Sequence, residues 1–441
     1  MKQSKHNIYY SPKEVKTILE RSIDTALDGL KGYCNDPVSD FTRCRKLPAR
    51  TLIECIMSFS NYSSIGELSH FFVGQGEMPS ASALSQRRKL LDPDIFKRIN
   101  NLFVSAFDDH TTINGYHILA QDGSDVNIPF MDDKTKTEKH DAKSFCQYHV
   151  NALYDCLNKV FYDWSIDAAS KKREVNALIS ILKDRNYPQN SIFTADRGYE
   201  SYNLMAHFIE NDIKFVIRVK DIHTKVGLMT NVRTEEGAFD MRINRTLTSL
   251  QTKEIKADKE KYIFVPTTSN FDFLNETRDF YDLSFRAVRF KISEDVYETV
   301  VTNLSEEEFG TDDFKELYRY RWNEETAFNK LKYTIGLVYF HARKRQLIQQ
   351  EINAAFLMYN VSEVIIRNID LKKNKKLELE YDYKPNFSSA VTNIRLYLRK
   401  KINMKELILR IKKFLVAQRP ERSFERNIKG QSCKPLNYRT S

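Results

Sequence analysis

The sequence has no apolar run long enough to cross a membrane, for which about 20 residues are needed. Its first residues, MKQSKHNIYYSPKEV, contain no apolar core of the kind that a secretion signal carries. We therefore expect a cytoplasmic protein with no membrane partner.

Cysteine and tryptophan are also scarce. The two tryptophans are Trp164 and Trp322. The cysteines form no CxxC pair and no spacing typical of a zinc site, so we expect reduced thiols with structural roles. The six cysteines are Cys34, Cys44, Cys55, Cys146, Cys156 and Cys433.

Acidic residues are scarce in one part of the chain. The 441 residues carry a net charge of +10, and residues 371–441 hold 19 Lys and Arg against 6 Asp and Glu. This C-terminal basic excess favours a polyanionic partner. Because no lipid-inserting segment accompanies it, we interpret the partner as nucleic acid.

The most informative segment is YRYRWNEETAFNKLK, from Tyr318 to Lys332. At about 100° per residue, Tyr318, Arg321, Glu325 and Lys332 lie within roughly 60° of one another on a helix. A capping signal and two acids precede the segment, so we predict one helix over residues 312–336. Taken alone, the row is equally compatible with a solvated ion-pair face, which contributes only tenths of a kcal/mol.

Two aspartates follow predicted strands. Asp122 ends the β-favouring run in YHILAQDG, and Asp196 follows the short strand in SIFTADRG. Ligand sites of open α/β sheets lie at the C-terminal ends of strands, and Mg²⁺ requires several acidic oxygens. Together with Glu325, the two aspartates are therefore candidate metal ligands. Either one can instead be a turn residue, which is a common role of aspartate before glycine.

These residues resemble the signature of a known family. The row from Tyr318 to Lys332 matches the Y-x2-R-x3-E-x6-K pattern of bacterial transposases of the insertion-sequence-four family. Asp122, Asp196 and Glu325 look like the acidic triad of DDE transposases. The resemblance extends from about residue 50 to residue 345 and includes the segments PSASALSQRRKL, KFVIRVK and HARK.

The resemblance implies a transposase that cleaves and joins DNA at the ends of an insertion sequence. Two Mg²⁺ ions, for which Mn²⁺ can substitute, would be held by Asp122, Asp196 and Glu325. The implied partners are double-stranded DNA, as transposon ends and target, and a second copy of the chain in a homodimer on DNA. The implied location is the bacterial cytoplasm, at the nucleoid when DNA is bound.

Further residues are candidates for DNA binding. Arg321 can bind a phosphate through two hydrogen bonds, Lys332 adds a charge and Tyr318 a hydroxyl donor, and the family associates these three with phosphates at the transposon end. Arg197, next to Asp196, is a further candidate for phosphate binding. Trp322 can stack on a flipped base or be a core aromatic. Arg87 and Arg88 lie in the second helix of a segment whose outline fits either a helix-turn-helix or a plain helical hairpin.

The pattern along the chain favours an α/β fold with a ribonuclease H-like core. We expect an N-terminal helical, DNA-end-binding domain at 1–105, the first part of the core at 112–220 with a helix from Glu174 to Asp184, and a β-rich insertion at 221–308. Core helices with the third acid follow at 309–370, and a basic helical region and tail at 371–441.

Two other functions remain compatible with these residues. One is a ribonuclease H-like nuclease that cuts DNA without joining it. The other is a non-catalytic DNA-binding protein derived from a transposase, which is disfavoured because buried unpaired carboxylates are costly without a metal. Residues 221–308 contain no tryptophan that could stack on a flipped base. The sequence therefore does not decide whether the reaction passes through a hairpin intermediate.

Overall fold

The structure is a computed structural model of the chain. It describes residues 1–5, 9–43, 45–74, 76–131, 135–139, 142–169, 174–222, 226–269, 271–294, 296–371 and 382–418. The predicted tail beyond residue 418, Cys44 and Cys433 lie outside the described residues.

Helices make up most of the first hundred residues. Ser11 caps the first helix, because its Oγ accepts the Glu14 N–H at 3.3 Å while the Glu14 carboxylate accepts the Ser11 N–H at 2.7 Å. The elements are α1 (Pro12–Asp28), α2 (Ala49–Met57), α3 (Ser64–Phe72), α4 (Ala81–Arg88) and α5 (Asp94–Val104), beside a small sheet of β1 (Gln3–Lys5) and β2 (Thr111–Ile113).

A ten-stranded mixed sheet forms the centre of the described chain. Its strands are β3 (His117–Ile128), β4 (Lys136–Lys139), β5 (Ala142–Asp155), β6 (Val160–Ala168), β7 (Ser191–Ala195), β8 (Lys214–Val219), β9 (Phe239–Thr248), β10 (Tyr262–Phe264), β11 (Phe280–Ser293) and β12 (Val296–Thr302). The order is β10-β9-β11-β12-β8-β7-β3-β5-β4, and β6 also pairs with β5. β3, β7 and β8 are parallel, whereas β5 is antiparallel to β3.

The predicted β-rich segment 221–308 extends this same sheet. β12 pairs antiparallel with β8, β11 pairs with β12, and β9 pairs with β11. The segment also contains the short helix α8 (Lys253–Ala257). Its strands therefore share one hydrogen-bonded sheet with β3 and β7.

Helices cover the sheet and bury its apolar strands. α6 (Glu174–Asp184) has the predicted bounds and contacts β3, β5 and β6. α11 (Arg345–Arg367) is largely buried and packs against α5, α2 and β6. The other elements are α7 (Tyr202–Glu210), α9 (Thr311–Arg319), α10 (Trp322–Asn329), α12 (Phe387–Leu398), α13 (Met404–Lys413), β13 (Tyr383–Pro385) and β14 (Leu415–Ala417).

The prediction of one helix over residues 312–336 is wrong, because α9 and α10 are separate. The N–H groups of Arg321, Asn323 and Glu324 bond to carbonyls three residues back, which tightens the chain between the two helices. The Asn323 amide also donates to the Cys156 carbonyl at 3.1 Å, which ties α10 to the end of β5. A π-helical turn, Lys330–Ile335, then follows α10.

The prediction that the first aspartate ends its strand is also wrong. β3 pairs with β7 only as far as Gln121, but its pairing with β5 continues to Ile128. The Asp122-Gly123 pair is therefore held extended by β5 instead of forming a turn.

Candidate active site

Asp122 lies where β3 loses one of its two neighbours. Past Gln121, the side of β3 that faced β7 has no strand beside it, and Asp122 is the first residue beyond that point. Its Oδ1 accepts the Gly123 N–H at 2.8 Å. The carboxylate therefore stands at an opening in the sheet, on a backbone that β5 keeps rigid.

Asp196 lies beside Asp122 because it follows the neighbouring strand. Gln121 and Ala195 are paired in the parallel register of β3 and β7, and each aspartate comes directly after one of them. The Asp196 Oδ1 accepts the Gly198 N–H at 2.8 Å and so caps a single 3₁₀ turn. Asp196 thus lies directly after the C-terminal end of its strand, as its sequence context predicts.

The third acid comes to the same place on α10, which packs on β3. Glu325, Asp122 and Asp196 line one open cleft of about 480 Å³. The other residues that line it are Gly123, Ser124, Arg197, Arg218, Arg321, Trp322, Phe328 and Asn329. Carboxylates and guanidinium groups thus face one another across a space that solvent can enter.

The predicted row from Tyr318 to Lys332 is divided between the cleft and the protein interior. Arg321 lies at the cleft, with its Nη1 3.6 Å from Asp122 Oδ2. Tyr318 is only 2% exposed, and its hydroxyl makes no hydrogen bond of good geometry within the described residues. Lys332 is half-buried; burial lowers its pKa, while the charges of Asp125 and Asp122 favour its protonated form. Arg321 and Lys332 thus both place positive charge near Asp122, but the four side chains do not form one exposed row.

Arg218 is a cleft residue that the sequence analysis did not identify. It lies on β8, and its Nη2 is 3.1 Å from Glu298 Oε1. Its neighbours Val216 and Ile217 are fully buried. The available signal was a charged residue within the apolar strand KFVIRVK, because a strand that is buried on both faces rarely carries one.

Glu324 is a second residue that the sequence analysis passed over, since it lies off the predicted row. Its side chain is fully buried, and neither oxygen makes a hydrogen bond of good geometry within the described part of the chain. Burial raises the pKa of Glu324 well above its usual range, and the nearby charge of Asp122 adds to the rise. A glutamate among the apolar positions of the helix was the available signal.

The donor chemistry of the cleft fits a hard divalent cation. Burial raises the pKa of Asp122, and the negative charges of Asp196 and Glu174 raise it further. The positive charge of Arg321 acts in the opposite direction. A cation would offset this accumulated negative charge, and carboxylate oxygens are the ligands that Mg²⁺ prefers. Within the described residues, no three His, Cys, Asp or Glu side chains are already close enough to hold a metal ion. The acids would therefore have to move closer together around it.

The remaining candidates differ in their surroundings. Trp322 lines the cleft and is 45% exposed, with its ring 5.1 Å from the Arg321 guanidinium. Arg88, in contrast, is buried, and its Nη2 donates to the Leu347 carbonyl and to Glu351. Arg87 donates to the Leu47 carbonyl. These two arginines are engaged in internal contacts of the helical region.

The part of the chain that carries the three acids is similar to known proteins. The model of the family described as "Transposase DDE domain" matches residues 113–361, which is more than half of the chain and includes all three acids. No curated protein matches. Among solved structures, the chain is similar to the piggyBac transposase in a cryo-EM structure of its synaptic complex with hairpin DNA, with 11% identity and a TM-score of 0.45 over 96% of this chain and 90% of that one. No helix in the described ranges is both long and apolar enough to span a membrane.

Proposed function

Because the chain belongs to the transposase DDE domain family, we propose that it is a transposase that cuts and rejoins DNA at the ends of an insertion sequence. The observation that carries the proposal is the convergence of Asp122, Asp196 and Glu325 on one cleft. The reaction is phosphoryl transfer in a cut-and-paste sequence, in which the freed 3′ hydroxyl is the nucleophile for joining.

The three acids are proposed as the ligands of two Mg²⁺ ions, or of Mn²⁺ in their place. When bound, the ions activate water on one side of a phosphodiester and stabilise the departing oxygen on the other. The open edge of β3 at Asp122 and the capped turn at Asp196 present carboxylates on a rigid backbone. Such rigidity reduces the reorganisation needed when substrate binds.

Guanidinium groups of the cleft are proposed to bind the DNA backbone. Arg197, Arg218 and Arg321 all line the cleft. An arginine can present two N–H donors to one phosphate, which fixes both position and orientation. Lys332 adds positive charge near Asp122, and the Tyr318 ring lies 5.5 Å from the Arg321 guanidinium. Trp322 offers an exposed ring on which a base can stack.

The fold and the remaining assignments belong to the same proposal. The antiparallel pairing of β3, β5 and β6 beside parallel β7 and β8 supports a ribonuclease H-like core. The segments 1–105 and 371–441 are proposed to bind transposon ends and further DNA, and the active form is proposed to be a homodimer on DNA.

The test is a cleavage and joining assay with purified protein. DNA that carries the element's ends is incubated with Mg²⁺, with Mn²⁺ or with a chelator, and broken and joined strands are separated by electrophoresis. Metal-dependent cleavage followed by joining is the expected result. Cleavage without joining would instead indicate a nuclease, and DNA binding without cleavage would indicate a non-catalytic protein.

Glu325→Gln is the matched active-site variant. It removes one charge without changing size, so DNA binding should persist while cleavage is lost by a factor of about 1,000 or more, which corresponds to about 4 kcal/mol of barrier. Glu316→Gln is the control, because Glu316 is exposed on α9, outside the cleft, where its Oε1 accepts the Tyr320 hydroxyl at 3.0 Å. Full cleavage by the Glu325 variant would refute its assigned role.

A further inference from the structure

A buried histidine contacts two carboxylates next to the aspartate-bearing strands. His149, on β5, is only 2% exposed. Its Nδ1 lies 2.7 Å from Asp125 Oδ1, and its Nε2 lies 3.1 Å from Glu174 Oε1. Asp125 is its cross-strand partner on β3, and Glu174 is the first residue of α6. The imidazole therefore joins β3, β5 and α6.

The ring of His149 lies directly against the residue that follows Asp122. A methyl group at Gly123 would stand 2.4 Å from His149 Nε2, closer than real carbon and nitrogen atoms approach. Side chains alternate along a strand, so Gly123 faces the side of β3 opposite to Asp122. The missing side chain at Gly123 thus provides the space in which His149 supports the strand behind the Asp122 carboxylate.

Glu174 extends the same contact to the second aspartate. A methyl group at Gly198 would stand 3.4 Å from Glu174 Oε2 and 3.0 Å from Asp196 Oδ1. These two oxygens therefore border the same narrow gap, while the other Glu174 oxygen faces His149. One carboxylate thus spans from the support of Asp122 to the turn that holds Asp196.

We propose that His149 and Glu174 are positioning residues that fix the strand beneath Asp122 and the turn that carries Asp196, so that the two carboxylates can close on a divalent cation. This inference rests on the proposed function and deepens it, because it assigns the geometry of the metal site to residues outside the acidic triad. Neighbours that orient metal ligands commonly change metal affinity or activity by on the order of 10- to 100-fold when they are replaced. Such a support is needed here, since the three acids lie in an open cleft.

The first measurement is the affinity for Mn²⁺ alone, determined by calorimetry on the full chain. Glu174→Gln keeps the size of the side chain but weakens its contact with His149, and we expect Mn²⁺ affinity to fall at least tenfold. The control is Asp272→Asn, which alters a His-carboxylate pair of 2.7 Å with His207, on α7. The control should bind Mn²⁺ like the wild type.

A double variant distinguishes positioning from a general loss of stability. Gly123→Ala should displace His149 and reduce Mn²⁺ affinity as Glu174→Gln does. Because both changes act through the same imidazole, combining them should reduce affinity little beyond either one alone. Losses that multiply instead would overturn the inference.

The outcomes separate this inference from the function on which it rests. If the wild type binds Mn²⁺ and Glu174→Gln binds it equally, the inference fails and the proposed function stands. If the wild type binds none, both fail. If the glutamine variant does not fold, Glu174→Asp takes its place: its shorter side chain cannot reach both His149 and the Asp196 turn, so unchanged Mn²⁺ affinity in that variant overturns the inference.

Discussion

Replacing Glu351 by glutamine tests whether Arg88 serves the fold. Glu351 lies on the buried helix α11, where Arg88 donates to its Oε1 at 2.8 Å and the His341 N–H donates to its Oε2 at 2.9 Å. Burial alone would raise the pKa of Glu351, but Arg88 and His341 outweigh it and lower the pKa from 4.5 to about 2. The ionised form is therefore strongly favoured in the folded protein.

The lowered pKa of Glu351 sets the expected loss of stability in the Glu351→Gln variant. Each pKa unit corresponds to about 1.4 kcal/mol, so the charged form of Glu351 contributes roughly 3 kcal/mol to the free energy of unfolding. Because the pKa is lowered on folding, this contribution is fully present above about pH 4.5 and is lost as the pH falls toward 2. Glu351→Gln should therefore lose roughly 3 kcal/mol at neutral pH, and its deficit should shrink in acid.

The assay is urea unfolding between pH 3 and pH 7, followed by tryptophan fluorescence. Trp164 is a suitable probe, since it is buried and stacks on Phe356 of the same helix α11 with ring centroids 4.3 Å apart. The control is Glu406→Gln on α13, whose ion pair with Arg410 is about 40% exposed and should contribute less than about 1 kcal/mol. Equal losses in the two variants, or a deficit independent of pH, would refute the reasoning.

Three further predictions concern the cleft. Arg321→Gln removes the positive charge that opposes the burial-raised pKa of Asp122, so that pKa should rise further and the acid limb of the cleavage pH profile should move to higher pH. Trp322→Ala should change the urea midpoint little, because the ring is 45% exposed, but should weaken binding to DNA with an unpaired base by about 1–3 kcal/mol in a fluorescence anisotropy titration. Arg218→Gln should weaken DNA binding uniformly across sequences and reduce the slope of log affinity against log salt by about 1.

Local patterns predicted much of the secondary structure. The helix at Glu174–Asp184 is confirmed, because it depends on neighbouring residues and hydrophobic spacing alone. Membership in the DDE family is confirmed as well. The narrower insertion-sequence-four assignment and the role of each acid stay predictions.

Long-range contacts explain where the local reading failed. The helix expected over residues 312–336 is divided between α9 and α10, and there the Asn323 amide bonds the carbonyl of Cys156, just past β5 and 167 residues earlier in the chain. The turn expected after Asp122 is absent because β5 continues to pair with that segment. Arg88 was a candidate for DNA because it lies in the outline of a helix-turn-helix, whereas the structure buries it against Glu351, 263 residues away in sequence. None of these partners leaves a signal in the local sequence.

The sequence by itself determined the candidate side chains for the proposed chemistry, because the spacing from Tyr318 to Lys332 and the β-favouring runs before Asp122 and Asp196 are local patterns. The tertiary structure alone decided that Asp122, Asp196 and Glu325 face one cleft, and that His149 and Glu174 stand beside the first two. That arrangement depends on the parallel register of β3 and β7 and on the packing of α6 and α10 on β3. Sheet register and helix packing follow from the burial of apolar faces across the whole chain, which no single segment specifies.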